Sequence, residues 1–542
     1  MIIIVPNSTV RIIGVVFLCN KFINTVCFMR SYNYEGNYAP ENIETLKKQM
    51  ALYKSLNLPV TNLLEYDALV RPDFCSAVKQ SQFSGCETGL WFEITGELCR
   101  DAGIPWRSER NRNWDFYVNP GFIMSYSLTQ KQKLIDAAMQ RFYSIFGHYP
   151  RTVGAWLLDT QAMAYFEQHY EIDAFIVCRE QWGMDGYTLW GGPYYGGYYP
   201  SKNNMQTPAT LPQNQLTTPV FRMYVNDPIY CYYEFAKAPL NKTDRHLFTQ
   251  EPAWLCGQDP GWVEFCFNSV FNPKNLGFCY LQLGQETGFG YPEKLEQGLT
   301  QQCRFAVENQ SRYGYRFATV SEMGRAFKQQ YQTSPATLRY TLSDWAGNNQ
   351  QSVWFSNQRY RVNLVAAGEQ LLVRDLHLFC DEYTDKYLKS PCTGKWAVYD
   401  NPPIIDGVRF TPGCDESNIP YQNDFSGLSY GEQAGLYFNQ KGRITAVCSN
   451  PQQQTATVTL AGLNLTAEFL PTGLCFTKQD GNFTLTLSAK AAGRYLKSTG
   501  ETTLTYCHNG LNYCLKISCG SFKNGVLYAE NGKLILTPQV VE

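Results

Sequence analysis

Charge of either sign is scarce in this chain. Only 17% of its 542 residues are Asp, Glu, Lys or Arg, the formal net charge is -1, and Lys and Arg never gather into a run. Without a basic field a protein cannot neutralise a phosphate backbone, so nucleic acid is not an expected partner. Histidine is rarer still. The five, His148, His169, His246, His377 and His508, include no pair at H-x-x-x-H spacing, which removes the usual sign of a helical metal site. The 19 cysteines are an odd number and contain no C-x-x-C pair. In a chain this long that pattern reads as buried free thiols rather than a disulfide framework or a zinc ribbon. Neither G-x-G-x-x-G nor a P-loop occurs, and no apolar run approaches the ~20 residues of a membrane helix. No metal, cofactor, nucleic acid or membrane is therefore expected. The one short apolar stretch near the start, "RIIGVVFLC" (Arg11 to Cys19), lacks an A-x-A site. Residues 1–23 are read as an N-terminal extension of a cytoplasmic protein, with secretion as the alternative if that stretch is an atypical signal peptide.

Aromatic residues are abundant: 37 Tyr, 32 Phe and 11 Trp. Large flat rings that also hydrogen-bond suit a neutral, hydroxyl-rich ligand such as a carbohydrate. The densest group is "QWGMDGYTLWGGPYYGGYYPSKNN" (Gln181 to Asn204), whose glycines exclude a helix.

From residue 24 to 333 helical periodicity alternates with short apolar runs. A helix over Leu128 to Phe146 opens on a capping box, Ser127 with Gln130, and closes at Gly147. Strands are predicted to begin at Asn24, Val60, Glu87, Thr152, Ala174, Phe221, Phe278 and Tyr315. Such alternation predicts an α/β fold, a parallel sheet closing into a (β/α)7-type barrel with helices outside. From residue 334 to 542 the pattern changes to short alternating segments with Gly, Asn and Asp turns, the signature of an all-β sandwich region.

In a barrel the chemistry lies at the C-terminal ends of the strands. The polar residues there are Arg30, Glu65 with Asp67, Glu93, Asp159, Glu180 with Gln181, Asn226 with Asp227, Gln285 with Glu286, and Glu322. Carboxylates dominate, and two suitably spaced carboxylates are the minimum for glycoside hydrolysis. Asp159 also stands where the next helix needs an N-cap, and Asp227 and Asp185 also suit turns.

Three segments, "LNLPVTNLLEYDAL", "KLIDAAMQRFYSIFGHYPRTVGAWLLDTQAM" and "EIDAFIVCREQWGMDGYTLWGGPYYGGYYPSKNNM", resemble a largely uncharacterised bacterial family of the glycoside hydrolase/deacetylase barrel superfamily. That superfamily joins polysaccharide deacetylases to glycosidases of the amylopullulanase and branching-enzyme type and to alpha-mannosidases. The resemblance covers about residues 24–330 and implies an incomplete (β/α)7 barrel followed by β domains. Deacetylases of this kind hold a divalent metal with an aspartate after the first strand and a histidine pair after the third. Those places carry Arg30 with Ser31 and Glu93 with Glu97 here, so the resemblance implies no metal site. The amylopullulanase-like enzymes place a nucleophile after the fourth strand and an acid after the seventh. Asp159 and Glu286 match those places, with Asp and Glu exchanged.

The resulting expectation is a carbohydrate-active enzyme, a glycoside hydrolase with Asp159 as nucleophile or base and Glu286 as acid. Glu93 is the third catalytic candidate, Asp227, Arg30, Gln285 and Asp185 would contact substrate, and Trp182, Tyr187 and Trp190 would serve as sugar platforms unless the rings of 181–204 instead fill a gap between barrel and sandwich. An atypical polysaccharide deacetylase and a non-catalytic carbohydrate-binding barrel are the alternatives.

Overall fold

The computed structural model describes residues 20–33, 35–184, 187–233, 249–407, 434–488 and 495–541. Eight parallel strands form its first sheet: β1 Lys21–Met29, β2 Val60–Leu64, β3 Cys86–Trp91, β4 Thr152–Gly154, β5 Ala174–Val177, β6 Val220–Arg222, β7 Cys279–Leu283 and β8 Arg316–Phe317. Their order is β6-β5-β4-β3-β2-β1-β7, with β8 also on β1. Register runs from Thr25 opposite Val60, through Val60 opposite Cys86, to Phe221 opposite Ile176. The strands are short and largely buried on both faces, as a parallel sheet under helices requires. The α/β barrel-type fold is thus present.

Helices cover the outside: α1 Asn42–Ser55, α2 Leu128–Phe146, α3 Thr160–His169, α4 Pro260–Val270, α5 Glu293–Tyr313 and α6 Val320–Gln330. The Ser127/Gln130 capping box of α2 and its left-handed Gly147 are both formed. Glu322, one of the polar residues read at strand ends, closes the capping box of α6 with Thr319.

Alternate strand residues face the barrel interior. Phe28 and Trp91 stack there at 4.2 Å, with Trp156 perpendicular to both. Gly154 makes room for them, since a Cβ on it would stand 2.9 Å from the Trp91 ring. Among the described residues no backbone ladder joins β6 to β7, the two edges of this sheet. Side chains bridge the seam instead. The Tyr280 hydroxyl accepts the Arg222 N–H at 2.6 Å and donates to the Arg222 carbonyl at 2.7 Å. The Tyr280 N–H in turn donates to the Tyr195 hydroxyl at 2.9 Å.

The C-terminal region is antiparallel. A nine-stranded sheet begins with β9 Thr337–Thr341, β10 Gln350–Ser356, β11 Tyr360–Ala367 and β12 Gln370–Leu378. It shares one apolar core with an eight-stranded sheet, through Leu364, Leu376, Phe469 and Leu536 among others.

The aromatic loop fills the junction between barrel and sandwich. Tyr194 stacks on Trp354 at 4.0 Å, and the Tyr199 hydroxyl donates to the Tyr331 carbonyl. Trp190 donates its indole N–H to Asp406 at 3.0 Å and is 1% exposed. Tyr187 lies in a strand, Tyr187–Leu189, that pairs with Ala397–Tyr399 and sets its ring edge-on to Phe122. Tyr187 and Trp190, two of the three residues expected as sugar platforms, are therefore buried packing residues, because their large rings gain more from dry packing than from an open mouth. Trp182 lies in the strand Gln181–Met184 with its ring outside the described residues, and Asp185 is likewise outside them.

Beneath these rings six charged groups interlock. Glu180 accepts from Arg222 at 2.6 Å and from Arg361, and Arg361 grips both oxygens of Asp375 at 2.9 and 2.7 Å. His377 bridges Asp375 and Asp406 at 2.9 and 3.1 Å. Three carboxylates thus face two guanidiniums and one imidazole, all buried. Burial opposes a charge on His377, but Asp375 outweighs it and holds the imidazole above its ordinary value. A raised histidine contributes stability that is complete below the unfolded value, about 6.5, and disappears as pH rises through the folded one. Melting temperature is therefore expected to decline as pH rises above about 6.5, more steeply in the parent than in His377→Gln. Equal slopes in the two proteins would rule out this role for His377.

Candidate active site at the barrel mouth

Four charged side chains meet where β1, β2, β3 and β7 end. Arg30 follows β1 with inward parity, two residues beyond Phe28. Its Nε lies 3.1 Å from Glu65, and its Nη2 lies 2.8 Å from Glu93 and 3.7 Å from Glu286. Each carboxylate arrives by a simple local device. Glu65 is the first residue after β2, and its N–H donates to the Met29 carbonyl at 3.0 Å. Glu93 stands two residues beyond Trp91 and takes the indole N–H groups of Trp91 and Trp114 at 2.9 and 3.0 Å. Glu286 follows Gly284, whose φ of +117° and approach to the Val26 carbonyl leave no space for a Cβ. The Arg30 N–H also donates to Thr287 at 3.3 Å, tying the ends of β1 and β7 together.

The cluster rests on the Phe28 and Trp91 stack, and the Trp114 ring lies 5.0 Å from the Arg30 guanidinium. Trp156, partly exposed, packs beside this floor. One guanidinium cannot balance three nearby carboxylates. Burial, then Asp67 and Glu93, push the Glu65 carboxyl well above the usual range.

A second wall of the mouth holds Glu251, pushed up to about 7 chiefly by burial. It accepts from Gln285 at 2.9 Å and from the Trp254 indole at 2.8 Å. Gln285, expected to touch substrate, uses its amide on Glu251 and on the Ala253 N–H. Asp227 accepts the Ile229 and Tyr230 N–H groups at 2.7 and 2.9 Å, the turn-forming arrangement that its place before proline also suits.

Asp159 is drawn elsewhere. One oxygen caps α3 through the Ala162 N–H at 2.8 Å, and the other pairs with Lys131 of α2. Both partners lie on the helical layer, because Asp159 has the opposite parity to the inward-facing Gly154 and Trp156. Its carboxylate is thus occupied in joining α2 to α3, and the structure brings Arg30, Glu93 and Glu286 together without it. Asp159→Asn keeps a good cap but removes the charge opposite a buried lysine. It should cost about 3 kcal/mol of stability and leave turnover per folded molecule within about threefold of the parent. Chemical denaturation alongside active-site assay measures both, and a large fall in turnover at unchanged stability would return Asp159 to the reaction.

The places that the sequence resemblance sets beside deacetylase metal ligands do not suit a metal ion here. A fixed guanidinium already occupies the space among Glu65, Glu93 and Glu286. Glu97 accepts from the Tyr32 hydroxyl and lies 3.7 Å from Arg71. Among the described residues no group of three His, Cys, Asp or Glu side chains is arranged to hold a metal ion.

Strand-end reading found Arg30, Glu65, Glu93 and Glu286 but did not select Glu65 for a role. It missed Trp156, although that residue continues the inward parity of Thr152 and Gly154. Trp114 and Glu251 lie in loops, where no periodic signal exists.

No family model matches this chain, and no curated protein matches it. Solved structures do. A "putative glycoside hydrolase/deacetylase" from Parabacteroides distasonis superposes with a TM-score of 0.54 at 14% identity, over 73% of this chain and 93% of that one. A "probable Polysaccharide deacetylase" from Pseudomonas aeruginosa PAO1 gives 0.36 at 10% identity, over 58% and 93%. The first likeness shows a shared fold, a parallel-stranded barrel with helices outside. No helix among the described residues is long and apolar enough to cross a membrane.

Proposed function

We propose that this chain is a carbohydrate-active hydrolase whose reaction centre is the Arg30, Glu65, Glu93 and Glu286 cluster. The observation that carries the reading is the convergence of three glutamates on one arginine above an aromatic floor at the functional end of the barrel. Hydrolysis of a glycosidic bond needs a proton for the leaving oxygen and a carboxylate for the anomeric carbon or for an activated water. Glu65 suits the first task. Glu286 suits the second, with Arg30, itself gripped by Glu93, holding it in place and Trp156 stacking on the sugar.

Removal of an acyl group from a glycan is the second reading, and it is favoured by the barrel shared with a protein carrying both names. In that reaction Glu286 would activate water, and Glu65 would protonate the departing amine or alcohol, without a metal ion. Incubating the protein with plain and acetylated oligosaccharides, and following reducing ends and acetate in parallel, separates the two. New reducing ends support glycoside hydrolysis, and acetate release supports deacylation. Neither product across a broad panel, from folded protein, would refute the hydrolase.

A further inference from the structure

We propose that Arg30 is the resident cation of the mouth, a positioning residue that holds its three glutamates and sets their charge, and that this centre works without a divalent metal. The inference rests on the mouth being the reaction centre. Its support is geometric. Glu65, Glu93 and Glu286 come from three different strands, yet their carboxyl oxygens all turn to one guanidinium, at 3.1, 2.8 and 3.7 Å. Arg30 is itself held in place. The rings of Trp114 and Phe28 lie 5.0 and 5.7 Å from its guanidinium, and its backbone N–H is tied to Thr287. A guanidinium cannot lose its proton in the working range of pH, so this charge is permanent.

Three carboxyl groups gathered about one such charge compete for it: burial and the neighbouring carboxyls raise Glu65, and Arg30 opposes that rise. A divalent ion placed among the same oxygens would repel the guanidinium at about the distance of a direct contact, so the two cations exclude one another.

Three measurements test this. Titration calorimetry of the chelator-treated protein with Mn2+ and Zn2+ should detect no stoichiometric binding at the mouth, and melting temperature should be unchanged by either ion. A single bound equivalent that disappears in Glu93→Gln would overturn the proposal. Second, Arg30→Ala should fall at least about 100-fold in turnover and recover at least about tenfold in methylguanidinium but not in methylammonium, the planar cation alone fitting the vacated space. Equal recovery, or none, from folded variant would count against it. Third, in Arg30→Lys the acid limb of the pH-rate profile should move to higher pH, because a less well placed cation favours the carboxylate less. An unmoved limb would mean a purely structural arginine. If Arg30→Ala does not fold, the calorimetry and the lysine variant still decide. The calorimetry needs no substrate, so a failure of the carbohydrate reading and a failure of this one are distinguishable.

Discussion

If the mouth is the reaction centre proposed above, Glu286→Gln should lower turnover by about 10²–10⁴-fold, with little change in melting temperature. Glutamine keeps the shape of the side chain and its place after Gly284 but can neither attack nor accept a proton. The effect should fall on kcat more than on KM, because the lost interaction belongs to the transition state. Glu65→Gln should act differently. It removes the acid while leaving the base, so substrates with a good leaving group, which need little protonation, should be spared relative to native glycans. Steady-state kinetics on an aryl glycoside and an oligosaccharide would separate the two roles. A Glu286→Gln protein that retains most of its turnover would place the reaction elsewhere in the molecule.

The largest effect on stability is expected from Arg361→Ala. This guanidinium is fully buried and binds Glu180, both oxygens of Asp375 and the Gly192 carbonyl, and it lies 5.3 and 5.4 Å from the rings of Trp190 and Trp354. Removing it leaves two buried carboxylates without their main partner, at a cost of about 3–5 kcal/mol. Glu180→Gln in the same chain should restore part of that loss, since one of the abandoned charges is then absent. Urea unfolding of both single variants and the double variant gives the coupling directly. A loss below about 1 kcal/mol would mean that water enters the junction and replaces the arginine.

The barrel was legible because parallel strands covered on both faces appear as apolar runs between turns and amphipathic helices. Strand starts fell within a few residues of the observed ones. β1 begins three residues before the predicted Asn24, at Lys21, since the Lys21 ammonium finds the Phe271 and Tyr313 carbonyls at 3.1 and 3.2 Å. A charged residue reads as loop until such distant acceptors are known. The same blindness applies to the site. Strand parity brings Arg30, Glu93 and Glu286 to the mouth, but Asp159 cannot be told from a nucleophile or base until Lys131, on another helix, is seen beside it. For the rings of the glycine-rich loop the sequence leaves two readings open, sugar platforms or filling between barrel and sandwich, and the second holds for Tyr194 and Trp190; which residue receives them is not legible, for Trp354 lies far along the chain and in a different kind of sheet.

The pairing of Tyr187–Leu189 with Ala397–Tyr399 bears on the order in which the molecule assembles. Asn401 and Gly191, also hydrogen-bonded, stand 210 residues apart in the chain. During synthesis the aromatic loop emerges well before the strand and the arginine that will cover it, and it must wait with its rings uncovered. Contacts so distant in sequence slow the search for the native state and prolong the life of sticky intermediates. The N-terminal half thus carries rings that are covered only once the C-terminal half has been made and has packed against them.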